Sequence, residues 1–357
     1  MPTLYVPILK GKEGEFAALE ALSPEIKVLV KPLIEIPAVP FNFAAGRDAK
    51  TLDEHIRNLP ERLFRSWGES RFYLETPFFG EEEQLEGDRC AFEVLLNNCL
   101  ERGLNPTPVV STSSSDACLA AIRDRAAGES GACVRLSMND FAEEVEPADE
   151  VDAILGGIGK ESAAGLDLLI DFGDLTTENA TSLLLARSIL SMIPRRDEWR
   201  SLIFAAASFP EDLSGVTSSS AVTIPRREWL LWQALQRKPT LLPPNLIFGD
   251  YAISHPLVRG LDPRIMRMSA SIRYTIRESW LIVKGRNVNQ YGFEQYFNLC
   301  RQLVERPEYF GETFSWGDQF IWNCAQGTSG PGNATTWRKV GVNHHITLVA
   351  KQLSNPF

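Results

Sequence analysis

Eight short apolar runs, each punctuated by a polar or charged residue and followed by a stretch with helical spacing, recur between residues 4 and 250. They cover residues 4–9 with Lys10 behind them, 31–36 around Glu35, 71–76 around Glu75, 108–112, 132–136 around Arg135, 166–172 around Asp171, 201–207, and 245–250 ending at Asp250. Strand-like runs alternating with helices imply parallel neighbours joined by crossovers, and eight in succession predict a TIM-like (β/α)8 barrel. Such a barrel gathers the carboxyl ends of its strands into one mouth. The order of runs therefore tells where a site lies before it tells what the site does.

Between the runs, apolar residues recur at helical spacing in 13–22, 52–64, 90–100, 117–127, 150–156, 178–193 and 226–235. The serines at 113–115 with Asp116 are a cluster of N-cap residues opening the helix after the fourth strand. Residues 211–223 are rich in Ser and Gly and predict a mobile loop at the mouth. Beyond Asp250 the alternation stops. Residues 272–276 and 280–284, joined by 277–279, predict a β-hairpin inserted after strand eight. Residues 291–304 then supply an eighth helix, and 318–326 and 335–353 form a C-terminal helical extension interrupted by the breaker at 327–333. The whole is expected to be one domain: barrel over 1–260, hairpin insertion over 261–290, closing and C-terminal helices over 291–357.

Composition supports a fully buried core, since 44% of the 357 residues are hydrophobic. The formal charge of −10, from 46 acidic against 36 basic residues, excludes a broad nucleic-acid surface. Six scattered cysteines without a C-x-x-C pair argue against a disulfide framework or a structural zinc site, and they read as small buried residues. No basic segment followed by an apolar helix opens the chain, and no run of about 18 apolar residues occurs, so a cytoplasmic protein without a membrane span is expected. Residues 156–162 resemble a phosphate loop but carry Glu161 where a hydroxyl belongs, so that motif fails.

The strand ends hold Lys10 and Lys12, Glu35, Glu75, Ser111 and Thr112, Arg135, Asp171, Ser208, and Asp250. Charges there are costly inside a barrel unless they pair or face a wet mouth, so they should converge at the top. Glu35, Glu75, Asp171 and Asp250 are the candidate catalytic carboxylates, and Lys10, Lys12 and Arg135 would hold an anion. The hairpin adds Arg273, Tyr274 and Lys284 as further ligand-binding candidates over the same mouth. The competing reading is a self-neutralising salt-bridge network that merely fills the mouth. Oxygen-only ligands would favour Mg2+ or Mn2+, but no His-x-His or Asp-x-Asp pair supports a site, so no metal and no cofactor are expected. His344 and His345 are adjacent on a helix and point about 100° apart, so they cannot both serve one site. Asp318, after Trp316 and Gly317, reads as a helix cap.

The opening VPILKGKEGE from Val6 to Glu15, the PLIEI strand from Pro32, Ile272-Arg273-Tyr274, and the closing Trp337-Arg338 with His344-His345-Ile346 resemble the phage "beta protein" family. The resemblance implies a phage or bacterial setting near mobile and anti-phage defence genes, and supplies no catalytic residue. Two expectations follow. One is a mouth that binds an anionic small molecule or nucleotide, with phosphoester hydrolysis as the reaction that suits carboxylates beside cations. The other is a non-enzymatic subunit that docks a partner protein of a defence or phage system through residues 291–357; four of the eight Trp residues follow residue 250 and supply aromatic surface.

Overall fold

The computed structural model of the chain describes residues 3–79, 85, 90–142, 146–175, 179–238, 240, 242–243, 245–257 and 268–355. Its strands are β1 (Tyr5–Leu9), β2 (Leu33–Glu35), β3 (Phe41–Asn42), β4 (Arg47–Asp48), β5 (Arg71–Glu75), β6 (Asn105–Ser111), β7 (Cys133–Ser137), β8 (Asp167–Asp174), β9 (Ser201–Ala207), β10 (Ser220–Pro225), β11 (Leu246–Asp250), β12 (Ser269–Thr275) and β13 (Ser279–Asn287). Eight of them close a barrel in the order β1-β2-β5-β6-β7-β8-β9-β11, with β11 returning to β1. All its pairings are parallel, in the registers Ile8 with Leu33, Glu35 with Glu75, Ser111 with Arg135, Ser137 with Asp171, and Pro7 with Asp250.

Side chains alternate across this wall, as the two-residue period of a strand requires. Val6, Ile8, Leu33, Tyr73, Val109, Cys133, Leu169, Ile203, Ala205 and Ala207 fill the barrel interior. Their neighbours, among them Leu9, Ile34, Leu74, Val110, Val134, Ile170 and Phe204, face outward into the layer under the helices. Burying the outward set under the helices contributes roughly 25 cal/mol per Å² of apolar surface removed from water.

Four sequence expectations change in detail. The stretch 52–64 is two helices, Leu52–Arg57 and Leu59–Trp67, because Pro60 sits in the first turn of the second, where its missing N–H costs nothing. The loop expected over 211–223 is only partly a loop. Its end becomes β10, whose Val222 and Ile224 pack on the core and whose backbone pairs antiparallel with β13, so the hairpin is a three-stranded sheet ordered β10-β13-β12.

The eighth helical place is not filled by residues 291–304. Helix Gln295–Val304 packs on β12 and β13 instead, while the long helix Ala334–Ser354 lies against β1 and the first helix, Glu13–Glu20. Finally, Ser315 caps helix Trp316–Gln326, accepting from the Asp318 N–H, and Asp318 is buried. No helix among the described residues is long and apolar enough to cross a membrane.

Candidate functional site

At the carboxyl end of the barrel the inward-facing positions turn from apolar to charged. Lys10 continues the Val6–Ile8 row, Glu35 the Leu33 row, Glu75 the Tyr73 row, Arg135 the Cys133 row and Asp171 the Leu169 row, so five side chains from five strands converge. Gly11 makes the first of these possible. It turns with φ +59°, and a Cβ there would stand 2.8 Å from the Glu35 carbonyl oxygen, so the chain after Lys10 can fold directly over β2.

Arg135 is the hub of this cluster. Its Nη1 donates to Glu35 Oε1 at 2.9 Å and to Glu75 Oε2, and its Nη2 donates to Asp171 Oδ2 at 2.6 Å and to the Tyr251 hydroxyl at 2.5 Å. Lys10 Nζ pairs with the other oxygen of Glu35 and lies 4.8 Å from the centre of the Tyr251 ring. Tyr251 in turn donates to Asp171 Oδ2 at 2.5 Å, and the Gly173 N–H donates to Asp171 Oδ1 at 2.9 Å.

Three carboxylates thus face two cations, and the cluster carries one negative charge in excess when all are ionised. Burial raises the Glu75 pKa above the ordinary carboxylate value, Arg135 opposes the rise, and the charges of Glu35 and Asp171 add to it. A carboxyl that holds its proton above the usual range can deliver it. Arg135 keeps its charge because three carboxylates and the Tyr251 oxygen offset its burial.

Around the mouth, at the ends of β1 and β11, lies a cationic rim. Arg273 Nη1 donates to the Ile253 carbonyl at 3.1 Å and its guanidinium lies 4.9 Å from the Phe209 ring. Arg338 Nη1 donates to Ser254 Oγ at 2.7 Å. Burial, with the charge of Arg338 added, drops Arg273 to about 9, and among the described residues it has no carboxylate partner. Lys12 is pushed below the ordinary lysine value, by burial first and by Arg338 next. Among the described residues one carboxylate faces these three cations: Glu15 accepts the Lys12 backbone N–H at 3.1 Å, and its Oε1 stands 4.0 Å from Arg338 Nη1.

The structure thus brings together Lys10, Glu35, Glu75, Arg135 and Asp171, with Lys12 and Arg273 beside them. It does not bring Asp250, Tyr274 or Lys284 to the same point. Asp250 faces out of the barrel, where its Oδ1 accepts from the Tyr5 hydroxyl at 2.5 Å and from the Ala252 N–H at 2.9 Å, while its Oδ2 accepts from His345 Nε2 at 2.9 Å. Tyr274 is on the opposite face of β12 from Arg273 and donates to Asp318 Oδ1 at 2.6 Å under the C-terminal helices. Lys284 holds the loop before β10, donating to the carbonyls of Leu213 at 2.6 Å and Val216 at 2.7 Å.

Tyr251 and Arg338 were missed by sequence reasoning. The first was legible from the alternation Ile247, Gly249, Tyr251 on the inner face of β11, whereas no local signal marks the second. The two histidines straddle Thr275, and neither reaches the mouth. His344 ring nitrogens lie 2.8 Å from Asp318 Oδ2 and 2.7 Å from the Thr275 carbonyl. His345 Nδ1 lies 2.9 Å from Thr275 Oγ1, and burial lowers its pKa, so the neutral ring accepts from Thr275 and donates to Asp250.

A second ionic cluster, also absent from the sequence reading, stands at the other end of the barrel. Asp167 accepts from Arg200 Nε at 2.8 Å and Nη2 at 2.7 Å, from Ser201 Oγ at 2.6 Å and from the Tyr73 hydroxyl at 2.8 Å, with Lys31 Nζ at 3.4 Å. Although burial acts to raise its pKa, the bidentate Arg200 and the charge of Lys31 hold Asp167 below the ordinary carboxylate value. This cluster lines an open cavity at that end, with Arg71, Asn245 and Leu246 on its walls. Among the described residues, no group of three or more His, Cys, Asp or Glu side chains is arranged to hold a metal ion.

No curated protein matches the sequence. Among solved structures, a chain of tryptophan synthase from M. tuberculosis, in the open form with BRD0059 bound, aligns with 57% of this chain and 82% of its own at 11% identity. Its TM-score of 0.23 is too low to bear on fold or function. The sequence matches the Beta protein family over residues 5–351, nearly its whole length, and the chain belongs to that family.

Proposed function

We propose that the barrel mouth binds an anionic small molecule or nucleotide, with its anionic group on the Lys12–Arg273–Arg338 rim and its reacting bond over the Glu35–Glu75–Asp171 cluster. The observation that carries this reading is the division of charge: a net acidic centre with one carboxyl whose pKa is raised, bordered by three cations that face one carboxylate among the described residues. Hydrolysis of a phosphoester is the reaction that uses both parts, the rim taking the phosphoryl charge and Glu75 protonating the leaving oxygen as water attacks phosphorus. A phage-related or anti-phage defence role for this activity is part of the same proposal; membership of the Beta protein family is compatible with it.

The alternative of a docking subunit is less favoured, because helix Ala334–Ser354 buries Trp337, Val340, Val342, Ile346 and Val349 within the chain itself. Titration calorimetry with nucleotides and inorganic pyrophosphate, and a turnover assay against a panel of phosphomonoesters and diesters, test the proposal. Arg273→Ala and Arg338→Ala should each weaken binding on the order of tenfold, the loss of one charge-assisted contact. Glu75→Gln and Asp171→Asn should abolish turnover. Wild type and variants behaving alike would remove the proposal.

A further inference from the structure

We propose that Cys90 and Cys118 are a reactive thiol pair, which a peroxide oxidises to a disulfide on the wall of the crevice beside Glu75. Their sulfurs stand 3.8 Å apart, in hydrogen-bonding contact, although the residues belong to different elements: Cys90 stands at the N-cap position of helix Ala91–Glu101 and Cys118 lies in helix Asp116–Ala121. Both are only partly buried, whereas Cys99, Cys133, Cys300 and Cys324 are buried. The expectation that all six cysteines are small buried residues therefore fails for these two.

The pair is chemically polarised. The neighbouring Cys118 thiol, and less strongly the backbone N–H groups of Glu93 and Phe92, favour the Cys90 thiolate and bring it down to about 6 against the effect of burial. Cys118 is pushed the other way, by its contact with Cys90 first and by burial next. One sulfur is thus the nucleophile and the other the resolving thiol. Cys118 also lines a crevice with Glu75, Phe92, Val109, Ser111 and the serines 113–115, so a bond between the two sulfurs would fix one wall of the approach to the mouth.

The chemistry balances with hydrogen peroxide as the oxidant. The Cys90 thiolate attacks one peroxide oxygen, an S–O bond forms, the O–O bond breaks, and hydroxide leaves to become water by taking a solvent proton. Cys118 sulfur then attacks the Cys90 sulfenic acid, the S–S bond forms as the S–O bond breaks, and the departing hydroxide takes the Cys118 proton as the second water. Two thiols give up two electrons and the peroxide is reduced to water.

The test is brief exposure of the whole folded protein to hydrogen peroxide, followed by unfolding, thiol titration and peptide mass mapping. Wild type should fall from six free thiols to four, with the single new cross-link joining Cys90 to Cys118. In Cys118→Ser a sulfenic acid trapped by dimedone should accumulate at Cys90, and Cys90→Ser should keep its five remaining thiols. A cross-link between Cys300 and Cys324, the buried pair whose side chains also hydrogen-bond, would overturn the proposal. So would oxidation of Cys118→Ser no faster than of Cys90→Ser. The readout does not involve the mouth's ligand, so it stands or falls apart from the proposed hydrolysis.

Discussion

Asp250 and Tyr251 are consecutive residues that serve opposite sides of the barrel wall. The Tyr251 hydroxyl lies between Arg135 and Asp171 in the mouth, while the Asp250 carboxylate is bound from outside by Tyr5 and His345. The cause is the pleat: on β11 the odd positions face in and the even positions face out, so Gly249 and Tyr251 go one way and Phe248 and Asp250 the other. Asp250 therefore ties barrel, appended sheet and last helix together, since His345, which it holds, also bonds Thr275 of β12.

Asp250→Ala should accordingly act on stability rather than on the mouth. It leaves the Tyr5 hydroxyl, the Ala252 N–H and His345 Nε2 without their buried acceptor and Arg226 without one of its carboxylate neighbours, at a cost of about 3 kcal/mol or more. Urea denaturation measures the loss, and calorimetric titration of whatever anion the wild type binds should give the same affinity. A loss of affinity with unchanged stability would place Asp250 in the site.

Arg135→Met tests the hub. The substitution keeps the length of the stem but leaves Glu35, Glu75 and Asp171 facing one another with Lys10 alone to offset them. Removing one partner of a buried ionic cluster costs about 3–5 kcal/mol. The penalty is electrostatic, so the gap between variant and wild type should narrow as pH falls from 7 to 4 and the freed carboxylates protonate. Denaturant midpoints across that range check both the size and the sign. A pH-independent loss would mean that Arg135 acts by packing alone.

The barrel was legible because its determinants are local. Each apolar run ends where a strand ends, and Glu35, Glu75, Arg135 and Asp171 each extend an inward row. What was not legible depends on which element meets which. Residues 220–225 resemble a polar loop until β13 offers its backbone as a partner, and nothing near Arg338 marks it as a neighbour of Lys12 and Arg273. Tyr274 shows the same limit: the alternation separates it from Arg273, but only the packing of helix Trp316–Gln326 decides which of the two faces is enclosed. The Asp167 cluster is not legible because its partners, Lys31, Tyr73 and Arg200, lie on separate elements and only barrel closure brings them together.

Lys284→Met should loosen the loop ahead of β10 without unfolding the sheet. The ammonium donates to two carbonyls of that loop, at Leu213 and Val216, and each charge-assisted bond contributes roughly 1.5–3 kcal/mol. Methionine retains the buried stem and removes the donors. Hydrogen exchange should rise at least tenfold in amides 213–219 and stay constant in β12 and in the Tyr5–Leu9 strand. Unchanged exchange in the loop would show that its own turns, not Lys284, hold it.

Glu228 should make the protein less stable as pH rises through the weakly acidic range. Its carboxyl is fully buried, accepts from Ser208 Oγ at 2.6 Å and has Arg226 Nε at 3.3 Å. Burial lifts its pKa from 4.5 to about 7, with Arg226 pulling down and Asp250 pushing up. A raised folded value means the proton is held more tightly in the folded chain. The stability this confers is fully present below pH 4.5 and is lost as pH climbs through about 7. At 1.36 kcal/mol per pKa unit the change is roughly 3 kcal/mol. Glu228→Gln keeps the shape and an acceptor for Ser208 but cannot ionise, so the stability of wild type relative to the variant should fall by about that amount between pH 4.5 and 7. Parallel stability curves for the two proteins would show that Glu228 is ionised throughout, stabilised by Arg226 despite its burial.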